Sequence, residues 1–125
     1  MLILIQIFKI SSNFIKNNQM VKKMTIVREL KEYLQKEFSD SVKEVILFGS
    51  QVNGNSNEHS DYDILIVIDN DFNSMDENRI YDLCYDISLR YNIIFDVHMI
   101  SKRELTTLKG KQPIFTKAIK TGLYA

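Results

Sequence analysis

The chain has one cysteine, Cys84, one proline, Pro113, four glycines and no tryptophan in 125 residues, and its charges cancel, sixteen basic against sixteen acidic. Each scarcity excludes something. A single cysteine cannot close an internal disulfide, so the fold depends on its core, a buried thiol is the simple reading of Cys84, and a reducing, cytoplasmic compartment is expected. Balanced charge argues against a general polyanion binder, so no direct nucleic-acid binding is expected. No stretch reaches the roughly 20 apolar residues that span a bilayer. The nearest, residues 1–10, also lacks the basic start and small-residue cleavage site of a signal peptide, so no membrane partner is expected. Repeats and low-complexity tracts are absent as well. With so few glycines and prolines, each one marks a boundary.

What is present is enough for one domain with a substantial core. Apolar positions Ile26, Val27, Leu30, Tyr33, Leu34 and Phe38 recur at helical spacing, with Thr25 as the candidate N-cap. Ser39, Asp40 and Ser41 break that helix, and residues 42–48 read as a strand. A second strand includes residues 64–68 and ends at Asp69, Asn70 and Asp71. Ser74 and Glu77 form a candidate capping box for a helix through Tyr91, with Ile80, Leu83, Cys84, Ile87, Leu89 and Tyr91 on its buried face. Residues 93–100 form a third strand. Ser101 and Glu104 open a short helix ending near Gly110, and Pro113 opens a last helix closed by Gly122. This alternation predicts an α/β (α+β) fold, a small mixed sheet packed with helices. Residues 1–23 stand apart as an N-terminal extension ahead of a domain over 24–125. Residues 11–19 have a linker-like composition, and Met20 and Met24 come after them, so we expect a mis-assigned start and an extension that is weakly ordered or adds a helix.

The most informative stretch is residues 49–63, Gly-Ser-Gln-Val-Asn-Gly-Asn-Ser-Asn-Glu-His-Ser-Asp-Tyr-Asp, between the first two strands. Gly49 lets the backbone approach a ligand closely, and Ser50 adds a hydroxyl where following amides can meet phosphate oxygens. Asp61 and Asp63, two residues apart on an extended chain, project to one side while Tyr62 faces the other. Two such carboxylates repel unless a cation lies between them, and a hard, oxygen-seeking ion such as magnesium suits them better than zinc. Asp96, the one acid inside the third apolar strand, is the candidate third ligand. The polar loop over 53–60 is expected to be mobile above the site, with Gly54 closing it and Glu58 and His59 as ordinary loop residues. His98 is on the face of Asp96, where a partly buried, hydrogen-bonded histidine is expected.

Gly49-Ser50, Gly54 and Ser60-Asp61-Tyr62-Asp63 ahead of an apolar strand resemble the signature of the nucleotidyltransferase superfamily related to DNA polymerase β. The short chain is similar to the minimal nucleotidyltransferases, including antitoxins that pair with HEPN-domain toxins. The resemblance covers about residues 25–125 and implies two Mg²⁺ ions on Asp61, Asp63 and Asp96, with ATP as substrate. It implies triphosphate binding at Gly49, Ser50 and Ser60, and transfer of AMP to a hydroxyl, by preference a tyrosine of a HEPN-domain partner. Two alternatives remain: a non-catalytic antitoxin acting by occlusion, and transfer to a small molecule such as an aminoglycoside. The chain departs from the pattern at Gln51 and Asn53, where many members carry arginine. Lys102, Arg103 and Lys109 are the basic residues considered as substitutes.

Overall fold

The computed structural model describes residues 2–54, 60–69 and 71–125. Four strands form one mixed sheet in the order β3-β2-β1-β4: β1 Val42–Phe48, β2 Tyr62–Ile68, β3 Phe95–Ser101 and β4 Leu123–Tyr124. β1 runs antiparallel to β2 and β4, while β2 and β3 are parallel. Four helices complete the expected α/β fold: α1 Leu2–Phe38, the single turn α2 Ser50–Asn53, α3 Ser74–Tyr91 and α4 Pro113–Thr121.

Strand alternation sorts the core into two layers. Val45, Leu47, Tyr62, Ile64, Ile66 and Met99 face one side and pack with Leu30 and Leu34 of α1 and Leu83 and Ile87 of α3. Ile46, Phe48, Leu65, Val67 and Ile100 face the other, against Phe115 and Ala118 of α4. Helices on both faces explain why residues 64–68 are apolar without a break. Leu30 and Leu34 are fully buried, so truncating either to alanine would cost about 2–5 kcal/mol.

Local signals explain most boundaries, and five expectations need correction. Leu89 is 62% exposed on α3 rather than on its buried face, because it is two residues past Ile87 and so turned away from the core. Thr25 does not cap a helix: α1 runs unbroken from Leu2, and the Thr25 hydroxyl donates to the Val21 carbonyl at 2.8 Å. No glycine or proline occurs before Gly49, so nothing in residues 11–24 stops the helix. Asn73, not Ser74, caps α3; its side chain accepts from the Asp76 amide at 2.9 Å and Asp76 answers the Asn73 amide. The two overlapping motifs differ by one residue, and the asparagine one forms. Ser101 and Glu104 do form a reciprocal pair, each amide meeting the other's side chain at 3.1 Å. That pair leads into two 3-10 turns, Glu104–Thr106 and Lys109–Lys111, rather than one helix. β4, which pairs with Ile46 and Leu47, has no counterpart in the sequence expectation.

Candidate functional site

The site is at the end of the sheet where β1 finishes and β2 and β3 begin. Cross-strand register sets it: Asp63 pairs with Phe48 on one side and Asp96 on the other. Parallel pairing therefore puts Asp63 and Asp96 side by side on the face away from Tyr62, which is buried and meets Phe95 edge-on at 6.0 Å. His98, one pleat along from Asp96, brings Nε2 to 3.5 Å from Asp96 Oδ2 and packs its ring 5.9 Å from that of Phe48. One ligand atom from each of Asp63, Asp96 and His98 lies within 4.8 Å of the others. Asp61 is exposed just before β2 and is not in that cluster. Its charge nevertheless reaches Asp63.

The electrostatics arise from this geometry. Burial, then the neighbouring Asp96 carboxylate, pushes the Asp63 carboxyl above its ordinary range; His98 opposes the shift and Asp61 adds to it. Two carboxylates this close favour either a shared proton or a bound cation. The donor set is mostly carboxylate oxygen with one imidazole, on a face that α4 leaves open, and it fits a hard divalent ion better than a thiolate-seeking one.

Gly49 is required by the same pair. Its φ of 76° is in the left-handed region, and a Cβ there would overlap Oδ2 of Asp63. α2 starts directly after it, as phosphate binding at the turn requires, and the Gly49 carbonyl accepts from Val52 and Asn53 at 3.0 and 3.1 Å. Gly54 ends that turn at φ 79°, closing it as expected. Ser50 opens the turn, and Ser60 stands at the entry to β2. Glu58 and His59, with most of the polar loop, lie outside the described residues.

In the sequence, Gln51 stands out only as a missing arginine. In the structure it is 3% exposed and its amide donates to the Ser60 carbonyl at 2.8 Å, tying the glycine turn to the start of β2. Lys23 falls in the expected extension, yet its ammonium reaches the Gln51 carbonyl at 3.2 Å, and burial lowers its pKa. No local pattern marks either role; only the fold joins residues 23, 51 and 60. Lys102, Arg103 and Lys109 do not replace the arginines. They sit past the far end of β3, paired with Asp69, Asp71 and Glu104. A groove of about 610 Å³ runs between α3 and the edge strand β3, lined by Tyr81, Tyr85, Leu89, Ile94 and Val97 with Asp96 at the strand edge, on the α3 side of the sheet and not the face to which the carboxylates project. Cys84 faces it from the buried side, its thiol pushed up to about 12 by burial and therefore unreactive.

Comparison with known proteins agrees with this arrangement. Residues 27–118 match the family described as "Nucleotidyltransferase domain". A protein of Methanocaldococcus jannaschii named as a candidate protein adenylyltransferase is 34% identical over 83 residues, 66% of this chain and 77% of that one. A crystal structure of a candidate nucleotidyltransferase from Sulfolobus solfataricus superposes with a TM-score of 0.55 at 20% identity, over 87% of this chain and 84% of that chain, and so shares the fold. The toxin–antitoxin structure MntA-HpeT aligns more weakly, at a TM-score of 0.47 and 14% identity over 73% of this chain and 65% of that one, a likeness too loose to carry an argument. A strand-bound carboxylate pair beside a glycine turn, inside a matched region that takes in every element from β1 to β3, places this chain in the nucleotidyltransferase domain family.

Proposed function

We propose that this nucleotidyltransferase moves AMP from ATP to a hydroxyl on a separate protein. The observation that carries the reading is the Asp63–Asp96 pair, held side by side on the open face and touched by Gly49. The relatives named for protein adenylylation support the acceptor class. The acceptor oxygen attacks the α-phosphorus of ATP, the bond from that phosphorus to the bridging oxygen breaks, and pyrophosphate leaves. Asp63 and Asp96, joined by Asp61 from the strand entry, would hold magnesium, which when bound neutralises charge on the phosphates and lowers the pKa of the acceptor hydroxyl. Asp96 takes the acceptor proton, and His98 at 3.5 Å orients its carboxylate. Gly49, Ser50 and Ser60 hold the triphosphate against the turn that Gln51 fixes.

A partner presents the acceptor side chain to the face that carries Asp63 and Asp96. A tyrosine of a HEPN-domain toxin, with this chain as its antitoxin, is the specific form of the proposal. Co-expression with the neighbouring reading frame, and then intact mass of the partner, tests it. An added AMP mass that is lost in the Asp61→Asn/Asp63→Asn double variant is expected. An inhibited but unmodified partner would favour occlusion, and full transfer by the double variant would reject the mechanism.

A further inference from the structure

The first half of α1 carries large apolar side chains that the domain does not cover. Ile3 is 71% exposed, Ile7 54%, Ile10 68%, Phe14 65% and Val21 63%. With Asn17 they occupy positions 3, 7, 10, 14, 17 and 21, the alternating four-and-three spacing of a coiled-coil seam. Over Ile7, Ile10 and Phe14 this seam is on the opposite side of α1 from its core face, and it turns towards that face at Asn17 and Val21. Ile7, Ile10 and Phe14 each precede a fully buried residue, Val27, Leu30 and Leu34, by twenty positions, about five and a half turns and hence half a turn out of phase. Over residues 3–14 a helix packed on the seam therefore points away from the domain.

We propose that α1 pairs through residues 3–21 with α1 of a second copy, parallel and in register, making the protein a homodimer. Charge favours a like partner. Lys9, Lys16, Lys22 and Lys23 fall on the outer heptad positions together with exposed Leu2, Ile5, Phe8 and Ile15, while the positions flanking the seam, 4, 6, 11, 13, 18 and 20, hold no charge, so two identical helices meet without repulsion. Asn17 sets the direction. Only a parallel, in-register pair puts Asn17 against Asn17; an antiparallel one would leave each amide against aliphatic side chains. Burying the seam removes about 700–1,400 Å² over both copies, mostly below the roughly 1,200 Å² at which stable specific interfaces begin, so the dimer is a weak one that should dissociate on dilution. Lys23 stands beside Gln51 and Met20 still packs on the core, so α1 leaves the domain at the end that carries the carboxylates, and residues 2–19 overhang it by about 27 Å. In the dimer both sites face along a shared stalk.

Light scattering and sedimentation of the full chain between about 5 and 100 µM read the mass directly, independently of nucleotide transfer. Twice the 14.7 kDa chain mass, falling towards the monomer on dilution, is expected. Ile7→Glu/Ile10→Glu should be monomeric with an unchanged thermal midpoint for the domain, whereas Lys9→Gln/Lys16→Gln should dimerise like the wild type. Asn17→Cys should cross-link to a covalent dimer on mild oxidation, since Cys84 is buried. A wild-type chain monomeric at 100 µM would overturn the proposal, as would a dimer that survives the double glutamate change. So would absence of the Asn17→Cys cross-link, a monomer that instead binds phosphatidylserine vesicles through Ile7 and Ile10, or natively expressed protein starting at Met20 or Met24.

Discussion

Acids gather at both ends of the sheet, and their settings are opposite. Where β2 and β3 finish, each carboxylate folds with its own counter-charge: Asp69 lies 3.9 Å from Lys43 and 3.7 Å from Lys102, Asp71 2.6 Å from Arg103, and Glu104 2.8 Å from Lys109. Where β2 and β3 begin, Asp63 and Asp96 face each other, and among the described residues the ion pair recorded there is His98 with Asp96. The pKa directions separate accordingly. The Lys109 ammonium holds Glu104 below the usual carboxylate range, while burial and Asp96 push Asp63 above it. An acid that serves the fold brings a base with it. A pair that shares one histidine between two carboxylates stores repulsion that a cation from solution relieves.

The largest effects should fall at the unbalanced end. Asp63→Asn or Asp96→Asn is expected to lower label transfer from α-labelled ATP by about a thousandfold or more, because both positioning and charge neutralisation are lost. Asp71→Asn should stay within about twofold of wild type. Equal losses at the two ends would break the contrast. Next comes Gly49→Ala. Its methyl group would strike the Asp63 carboxylate from a left-handed backbone position, and displacement by about an ångström predicts roughly a hundredfold loss of transfer. Wild-type activity in that variant would mean that the close approach serves the fold alone.

The same contrast explains what can be read from the sequence. The strands carrying the site announce themselves, because 45–48 and 64–68 are unbroken apolar runs and Asp96 is one acid inside a third. Parallel register then turns a sequence separation of 33 residues, Asp63 to Asp96, into adjacency. The balanced end misleads. Lys102 and Arg103 look available for phosphate, since linear order hides that Asp69 and Asp71 lie against them, and Lys109 is taken by Glu104 five residues before it. Gln51 and Lys23 escape notice for the same reason, as their partners are 9 and 28 residues away. β4 is two residues long and forms only because β1 offers an edge, so no periodicity could signal it.

Metal-free stability provides a subtler test. Asp63 has a raised folded pKa, so the native state holds more protons than the unfolded chain between the ordinary carboxylate value and the raised one, and stability falls as pH rises through that window. Glu104, with a lowered pKa, contributes in the reverse sense: its stability is present above the ordinary value and lost as pH falls through the folded one. Near neutral pH without divalent ions, Asp63→Asn should therefore melt above wild type, by about 1–3 °C. Millimolar magnesium should raise the wild-type midpoint and leave the variant unmoved, as scanning calorimetry would read. A variant that melts below wild type would show that the carboxylate stabilises the fold, and the unbalanced end would lose its distinction.

The smallest effect belongs to the balanced end. Arg103 meets Asp71 through two nitrogens, Nε at 3.2 Å and Nη2 at 2.6 Å, yet the side chains are 76% and 59% exposed. Solvent screens such a pair, and the fork geometry places it near the top of the surface range, about 0.5–1 kcal/mol. A double-mutant cycle with Arg103→Gln and Asp71→Asn, read by urea melts at low and high salt, isolates that coupling. Salt should shrink it, because both partners stand in water. Asp71 also accepts from the Ser101 hydroxyl at 3.4 Å, so part of the Asp71→Asn loss should survive in the Arg103→Gln background. A coupling that salt leaves untouched would mean that this pair is effectively buried, and the far end would then hold a constrained charge of its own.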